Sequence, residues 1–140
     1  MAIRVLVVDD YEPWCRFIRQ SLLAHENLQI IGEASDGLQA MQKAQQLQPD
    51  LILLDICLPG PNGIEAARRI RKVSPTSKIL FVSENRAWDI VGEALLAGGT
   101  GYVVKSHAAS ELMIAVWAVL QGKQFLSTCL TGDHLANDQR

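Results

Sequence analysis

The chain has 140 residues, 49% of them apolar and 20% charged, with a formal net charge of −2 at pH 7. Such a composition describes one globular domain long enough to build its own core, and it excludes a disordered chain. A broad positive field for nonspecific nucleic-acid binding is excluded too, because basic density is confined to Arg68, Arg69, Arg71 and Lys72, a cluster that reads as a solvated helix face.

In chain order, short runs of β-branched and leucine residues fall at Val5-Leu6-Val7-Val8, at residues 28–31, 51–54 and 79–82, and at Tyr102-Val103-Val104. Each is too short for a typical helix, and turn residues bound it, so the pattern predicts five strands. Helical spacing joins Trp14, Phe17, Ile18 and Leu22 after the first run, and Leu38, Met41, Ala44 and Leu47 after the second. It recurs at Ile64, Ala67 and Ile70, at Trp88, Val91 and Leu95, and at Leu112, Ala115, Val116 and Val119, which gives five helices. Pro13 suits a first helical turn, Ser35-Asp36-Gly37 offers a cap, and Pro49, Pro75 and Gly98-Gly99 fall where helices should stop. Strict alternation with apolar strands predicts a doubly wound α/β domain, its parallel sheet covered on both faces. The domain is expected over residues 1–121, with residues 122–140 a tail or linker.

In an open parallel sheet, ligands bind beyond the carboxyl ends of the strands. The residues following the apolar runs are therefore informative: Asp9 and Asp10 after the first, Asp55 after the third, Ser83 after the fourth and Lys105 after the fifth. Three carboxylates on one rim repel one another unless a cation intervenes, which points to a divalent metal with oxygen ligands, Mg²⁺ foremost. An acidic pair alone is also the chemistry of a helix cap, but the joint placement of five such residues argues against that reading.

This constellation resembles the receiver domain of two-component response regulators, through Asp9-Asp10, Asp55-Ile56-Cys57-Leu58-Pro59-Gly60-Pro61-Asn62-Gly63, Ser83 and Lys105. The likeness covers about residues 3–121. Gly101-Tyr102-Val103-Val104-Lys105-Ser106, Glu111-Leu112 and Gly122-Lys123-Gln124-Phe125-Leu126-Ser127 look most like the LuxR-type DNA-binding subfamily. The resemblance implies a flavodoxin-like sheet of five strands in the order 2-1-3-4-5. It implies that Asp55 accepts a phosphoryl group from a sensor histidine kinase or phosphotransfer protein, and that the chain catalyses only its own phosphorylation and dephosphorylation. Asp10, Asp55 and the Cys57 backbone carbonyl would bind Mg²⁺, or Mn²⁺ in its place, with Asp9 acting through water. Lys105 would pair with a phosphoryl oxygen, Ser83 would hydrogen-bond another, and Tyr102 would turn inward as Ser83 moves. A homodimer through the fourth helix, fifth strand and fifth helix, and transcription regulation through a DNA-binding output domain absent from this chain, are further implications. Ser106 stands where many receivers have proline, so a trans Lys105–Ser106 bond is expected. Glu84 occupies a position where small residues are common.

Other readings are weaker. An Asp-x-Asp phosphatase needs a second acid where Cys57 stands, and Gly98-Gly99-Thr100-Gly101 precedes a strand instead of following one as a phosphate-binding loop does. A phosphorylation-independent interaction scaffold is the serious rival, but its usual sign is loss of Asp9, Asp10, Asp55 or Lys105. Trp14, Trp88 and Trp117 read as packing residues, and His25, His107 and His134 have no partner at metal-ligand spacing. Cys15, Cys57 and Cys129 lack any C-x-x-C pair and read as reduced thiols. No run approaches the roughly 20 apolar residues of a membrane span, and the start lacks a secretory pattern, so a cytoplasmic location without membrane association is expected.

Overall fold

The computed structural model describes residues 2–131. Strands and helices alternate: β1 (Ile3–Val8), α1 (Glu12–Leu23), β2 (Leu28–Ala34), α2 (Gly37–Leu47), β3 (Leu51–Leu54), α3 (Gly63–Val73), β4 (Lys78–Ser83), α4 (Trp88–Leu96), β5 (Gly99–Val104), α5 (Ala108–Leu120) and β6 (Phe125–Leu126). A short 3₁₀ turn, Lys105–His107, joins β5 to α5. The sheet order is β2-β1-β3-β4-β5-β6, and every pairing is parallel.

Period-two alternation divides the core. Val5, Val7, Leu51, Leu53, Leu80, Val82 and Val103 face α1 and α5, packing on Ile18, Leu22, Leu112 and Val116. Leu6, Val8, Ile52, Leu54, Phe81 and Tyr102 face the opposite way, against Ala40, Ile64, Ile70 and Val91 of α2, α3 and α4. Both faces are therefore covered, as the uninterrupted apolar strands require. The local stops behave as their chemistry dictates: Asp36 and Asn62 cap α2 and α3 by accepting from the amides of Gln39 (2.7 Å) and Glu65 (3.0 Å).

Two expectations need correction. The sheet has six strands instead of five, and the segment after Gly122 is not a free tail over its described length. Phe125 and Leu126 pair with Gly101 and Tyr102, residues 128–131 form a helical turn, and Leu130 is buried in the core. The two-residue strand is too short to show a period, which hides it in the sequence. Residues 132–140 of the expected linker lie outside the described part.

A buried polar network holds this segment. The Ser127 hydroxyl accepts from the Val104 amide (2.8 Å) and donates to Glu111 (2.6 Å), whose carboxylate also accepts from the Thr128 amide (3.0 Å) and hydroxyl (2.8 Å). Burial alone would push Glu111 up, but these hydrogen bonds outweigh it and hold the carboxyl below its ordinary range. Ser127→Ala leaves the Val104 amide and one carboxylate oxygen unsatisfied, so urea unfolding should show a loss of about 1–3 kcal/mol. Since the folded-state pKa of Glu111 is depressed, its contribution is present above the ordinary glutamate range and disappears as pH falls through and below it. The stability difference between parent and Glu111→Gln should therefore shrink on acidification; a difference independent of pH would refute the assignment.

Candidate functional site

Because β1, β3, β4 and β5 run parallel, their carboxyl ends form one rim. The ladder continues past the strands and fixes the acidic backbone: the Asp9 amide donates to the Ala34 carbonyl (3.0 Å) and the Asp55 amide to the Val8 carbonyl (3.1 Å). Gly63, the first residue of α3, lies so close beneath Asp55 that a Cβ there would come within 1.9 Å of the Asp55 carbonyl oxygen. Its missing side chain is what lets α3 abut the rim.

The rim gathers what the sequence placed there. Oxygens of Asp9, Asp10 and Asp55 lie within 4.8 Å of one another. Asp9 and Asp55 are buried, whereas Asp10 is exposed. The Lys105 ammonium lies 2.6 Å from Asp9 Oδ2 and 3.5 Å from Asp55 Oδ2. The Ile56 amide donates to Asp55 Oδ1 at 2.8 Å, and the Tyr11 amide to Asp9 Oδ1 at 2.9 Å. Above these groups opens a cleft of about 570 Å³, bounded by the acids, Lys105, Trp14, Cys57 and Glu84. Cys57 is exposed there.

Burial pushes the Asp55 carboxyl up to about 6, with Asp9 adding to the rise while Lys105 and the Ile56 and Cys57 amides oppose it. For Lys105, burial acts downward, but Asp9 and Asp55 prevail and hold the ammonium above its ordinary range. One ammonium faces three carboxylates, leaving negative charge uncompensated. An all-oxygen donor set of this kind fits a hard divalent cation of the Mg²⁺ type.

Ser83 and Tyr102 sit deeper. The buried Ser83 hydroxyl accepts from the Asn85 amide (3.2 Å). Tyr102 occupies the inward position: its side chain is fully buried beside Phe81, and its hydroxyl donates to the Asn85 carbonyl at 2.7 Å. Burial pushes that phenol up to about 12, against the pull of Ser83. The Lys105–Ser106 bond is trans, as expected. Ser106 accepts from Arg86 (3.0 Å), a contact no sequence spacing signalled. Trp14 was also missed as a site residue: it packs on Phe17, as read, but additionally faces Lys105.

The sequence profile described as "Response regulator receiver domain" matches residues 5–117. The chain belongs to that family. Among curated relatives of this receiver domain, the response regulator GacA of Pseudomonas viridiflava is 34% identical over 125 residues, covering 89% of the chain and 58% of GacA. The nitrate/nitrite response regulator protein NarL of Escherichia coli (strain K12) is 33% identical over 127 residues, covering 91% and 59%. The chain thus spans about three fifths of these relatives' length. Among solved structures, a LuxR-family two-component response regulator from Aurantimonas sp. SI85-9A1 superposes with a TM-score of 0.92 at 28% identity, covering 100% of both chains. The isolated receiver domain of RcsB from Salmonella enterica serovar Typhimurium, solved in the presence of phosphomimetic BeF₃⁻, gives 0.86 at 25% identity, covering 94% and 97%.

The raised Asp55 carboxyl makes a stability prediction for metal-free protein. A folded-state pKa near 6 against an ordinary 3.8 means that the carboxyl's relative stabilisation is complete below about pH 4 and is lost as pH rises through 6. At pH 7 the neutral isostere Asp55→Asn should be more stable than the parent by up to about 3 kcal/mol, the two converging below about pH 4. Urea unfolding in chelator across this range measures it, and a less stable Asp55→Asn at pH 7 would contradict the charge argument.

Proposed function

We propose that Asp55 is the phosphoacceptor of this receiver domain, taking its phosphoryl group from the phosphohistidine of a sensor kinase or phosphotransfer protein. What supports this above all is the Lys105 ammonium beside a buried Asp55 carboxylate at the floor of an open cleft. An Asp55 oxygen attacks phosphorus, the donor P–N bond breaks, the departing imidazole keeps the electron pair, and an acyl phosphate forms. Asp55 needs no general base once ionised, so the protein's task is positioning and charge. Lys105 takes one phosphoryl oxygen, and the Ser83 hydroxyl can donate to another. Mg²⁺, or Mn²⁺, would be held by Asp10, Asp55 and the Cys57 carbonyl with Asp9 in support, and supplies positive charge to the transferring group.

The downstream reading is a shift in population. A dianionic phosphoryl group gains bonds to Lys105 and Ser83 only in one arrangement, and that difference biases Ser83, Tyr102 and the α4–β5–α5 face. Moving a population from 1:99 to 99:1 takes about 5.5 kcal/mol, within reach of a few charge-assisted bonds. Homodimerisation through that face, and transcription regulation through an output domain carried outside these residues, belong to the same reading; two RcsB dimers bound to two parallel DNAs form a solved structure that matches at 25% identity and a TM-score of 0.85. The chemistry is self-directed, modifying this chain alone, and a cytoplasmic location fits a kinase partner. Among the described residues no helix is long and apolar enough to cross a membrane.

Labelling by a phosphohistidine donor or acetyl phosphate should require Mg²⁺, stop in excess chelator and vanish in Asp55→Asn. Asp10→Ala should raise the Mg²⁺ concentration needed for half-maximal labelling by about an order of magnitude or more. Undiminished labelling of Asp55→Asn would remove phosphotransfer through this residue. For the switch, Ser83→Ala should still accept phosphate while amide shifts across residues 84–120 on BeF₃⁻ addition become smaller than in the parent. Equal shifts in the two proteins would show that Ser83 does not couple.

A further inference from the structure

The wall of the cleft facing Lys105 is aromatic. Trp14 lies in the first turn of α1, its amide donating to the Tyr11 carbonyl (3.1 Å), and the Lys105 ammonium sits 5.1 Å from its ring centroid. Phe17 braces that ring at 5.0 Å between centroids, and both pack on the core layer beneath α1 and α5. The ammonium is therefore boxed between two carboxylates and one fixed indole, with its side chain only 13% exposed.

That box answers a specific difficulty. Lysine carries its charge on a flexible stem, and an ammonium paired with Asp9 at 2.6 Å is drawn toward Asp9 and away from the acceptor Asp55. The indole face is a third attraction for the cation, strengthened where water is excluded. We propose that Trp14 is a positioning residue for Lys105, its ring holding the ammonium over the Asp9–Asp55 pair so that the cation is in place as charge moves onto the phosphoryl group. This rests on Asp55 being the phosphoacceptor. Trp14 touches neither reacting atom in this scheme; it acts through Lys105.

The test is the rate of phosphorylation by acetyl phosphate at saturating Mg²⁺, read on the full chain in a double-mutant cycle. Trp14→Leu keeps an apolar side chain but removes the ring, and should slow phosphorylation about three- to tenfold, while Trp14→Phe should recover most of the rate. In a Lys105→Met background the Trp14→Leu effect should vanish. If Trp14 only anchors α1, the same loss will persist without Lys105, and the proposal is overturned. A Trp14→Leu rate equal to the parent's overturns it as well. A second measurement serves if Trp14→Leu fails to fold: fluorinated tryptophans at position 14, in a Trp88→Phe/Trp117→Phe background, preserve shape while weakening the ring's negative face. The rate should fall stepwise with fluorine number, and a flat series overturns the proposal. Asp55→Asn, run alongside, separates the two hypotheses: persistent labelling there defeats the phosphoacceptor reading itself, whereas abolished labelling with an inert Trp14 defeats only the positioning role.

Discussion

Two buried carboxylates, Asp9 and Asp55, are held within reach of one ammonium, Lys105. This arrangement is electrostatically incomplete: the exposed Asp10 adds a third negative charge at the rim, and burial penalises the ionised form of Asp55. The raised Asp55 pKa is the visible consequence. A site that is unfavourable for its own charges is favourable for whatever brings positive charge to it, which connects the geometry to divalent metal and to phosphoryl chemistry. Stability and function pull in opposite directions here, as they commonly do where like charges are gathered for a task.

The scaffold must keep these charges from moving apart. Backbone hydrogen bonds from Asp9 to β2 and from Asp55 to β1 fix the two acids relative to each other, and Gly63 lets α3 close against Asp55 from below. On the far side of β5, the Ser127 hydroxyl takes the amide of Val104, the residue immediately before Lys105, and passes its own proton to Glu111. The loop carrying the cation is thus tied at its base to the segment by which the described chain ends.

Two further residues shape the rim. Ser106 follows Lys105 through a trans bond, and its hydroxyl accepts from Arg86, so a side-chain contact tethers the loop. Glu84 brings a fourth carboxylate to the cleft. That charge reinforces the demand for a cation.

How much of this was legible in the sequence follows from the range of each signal. Apolar runs followed by Asp9, Asp55, Ser83 and Lys105 needed only period and order, because a parallel sheet places strand ends on one edge whatever the details of packing. Capping by Asp36 and the helix stops at Pro49 and Pro75 were likewise local. β6 was not legible, since two residues carry no period and Phe125 and Leu126 are strand only because β5 offers an open edge. Neither was Glu111 recognisable as a buried anchor, because its partners Ser127 and Thr128 come from the far end of a helix and a turn. Trp14 had a helical period that predicted packing, and packing is what it does on one side. That its other side meets Lys105, 91 positions away in the numbering, was decided by the parallel sheet bringing the start of α1 and the end of β5 to one rim, a long-range contact that no local pattern encodes.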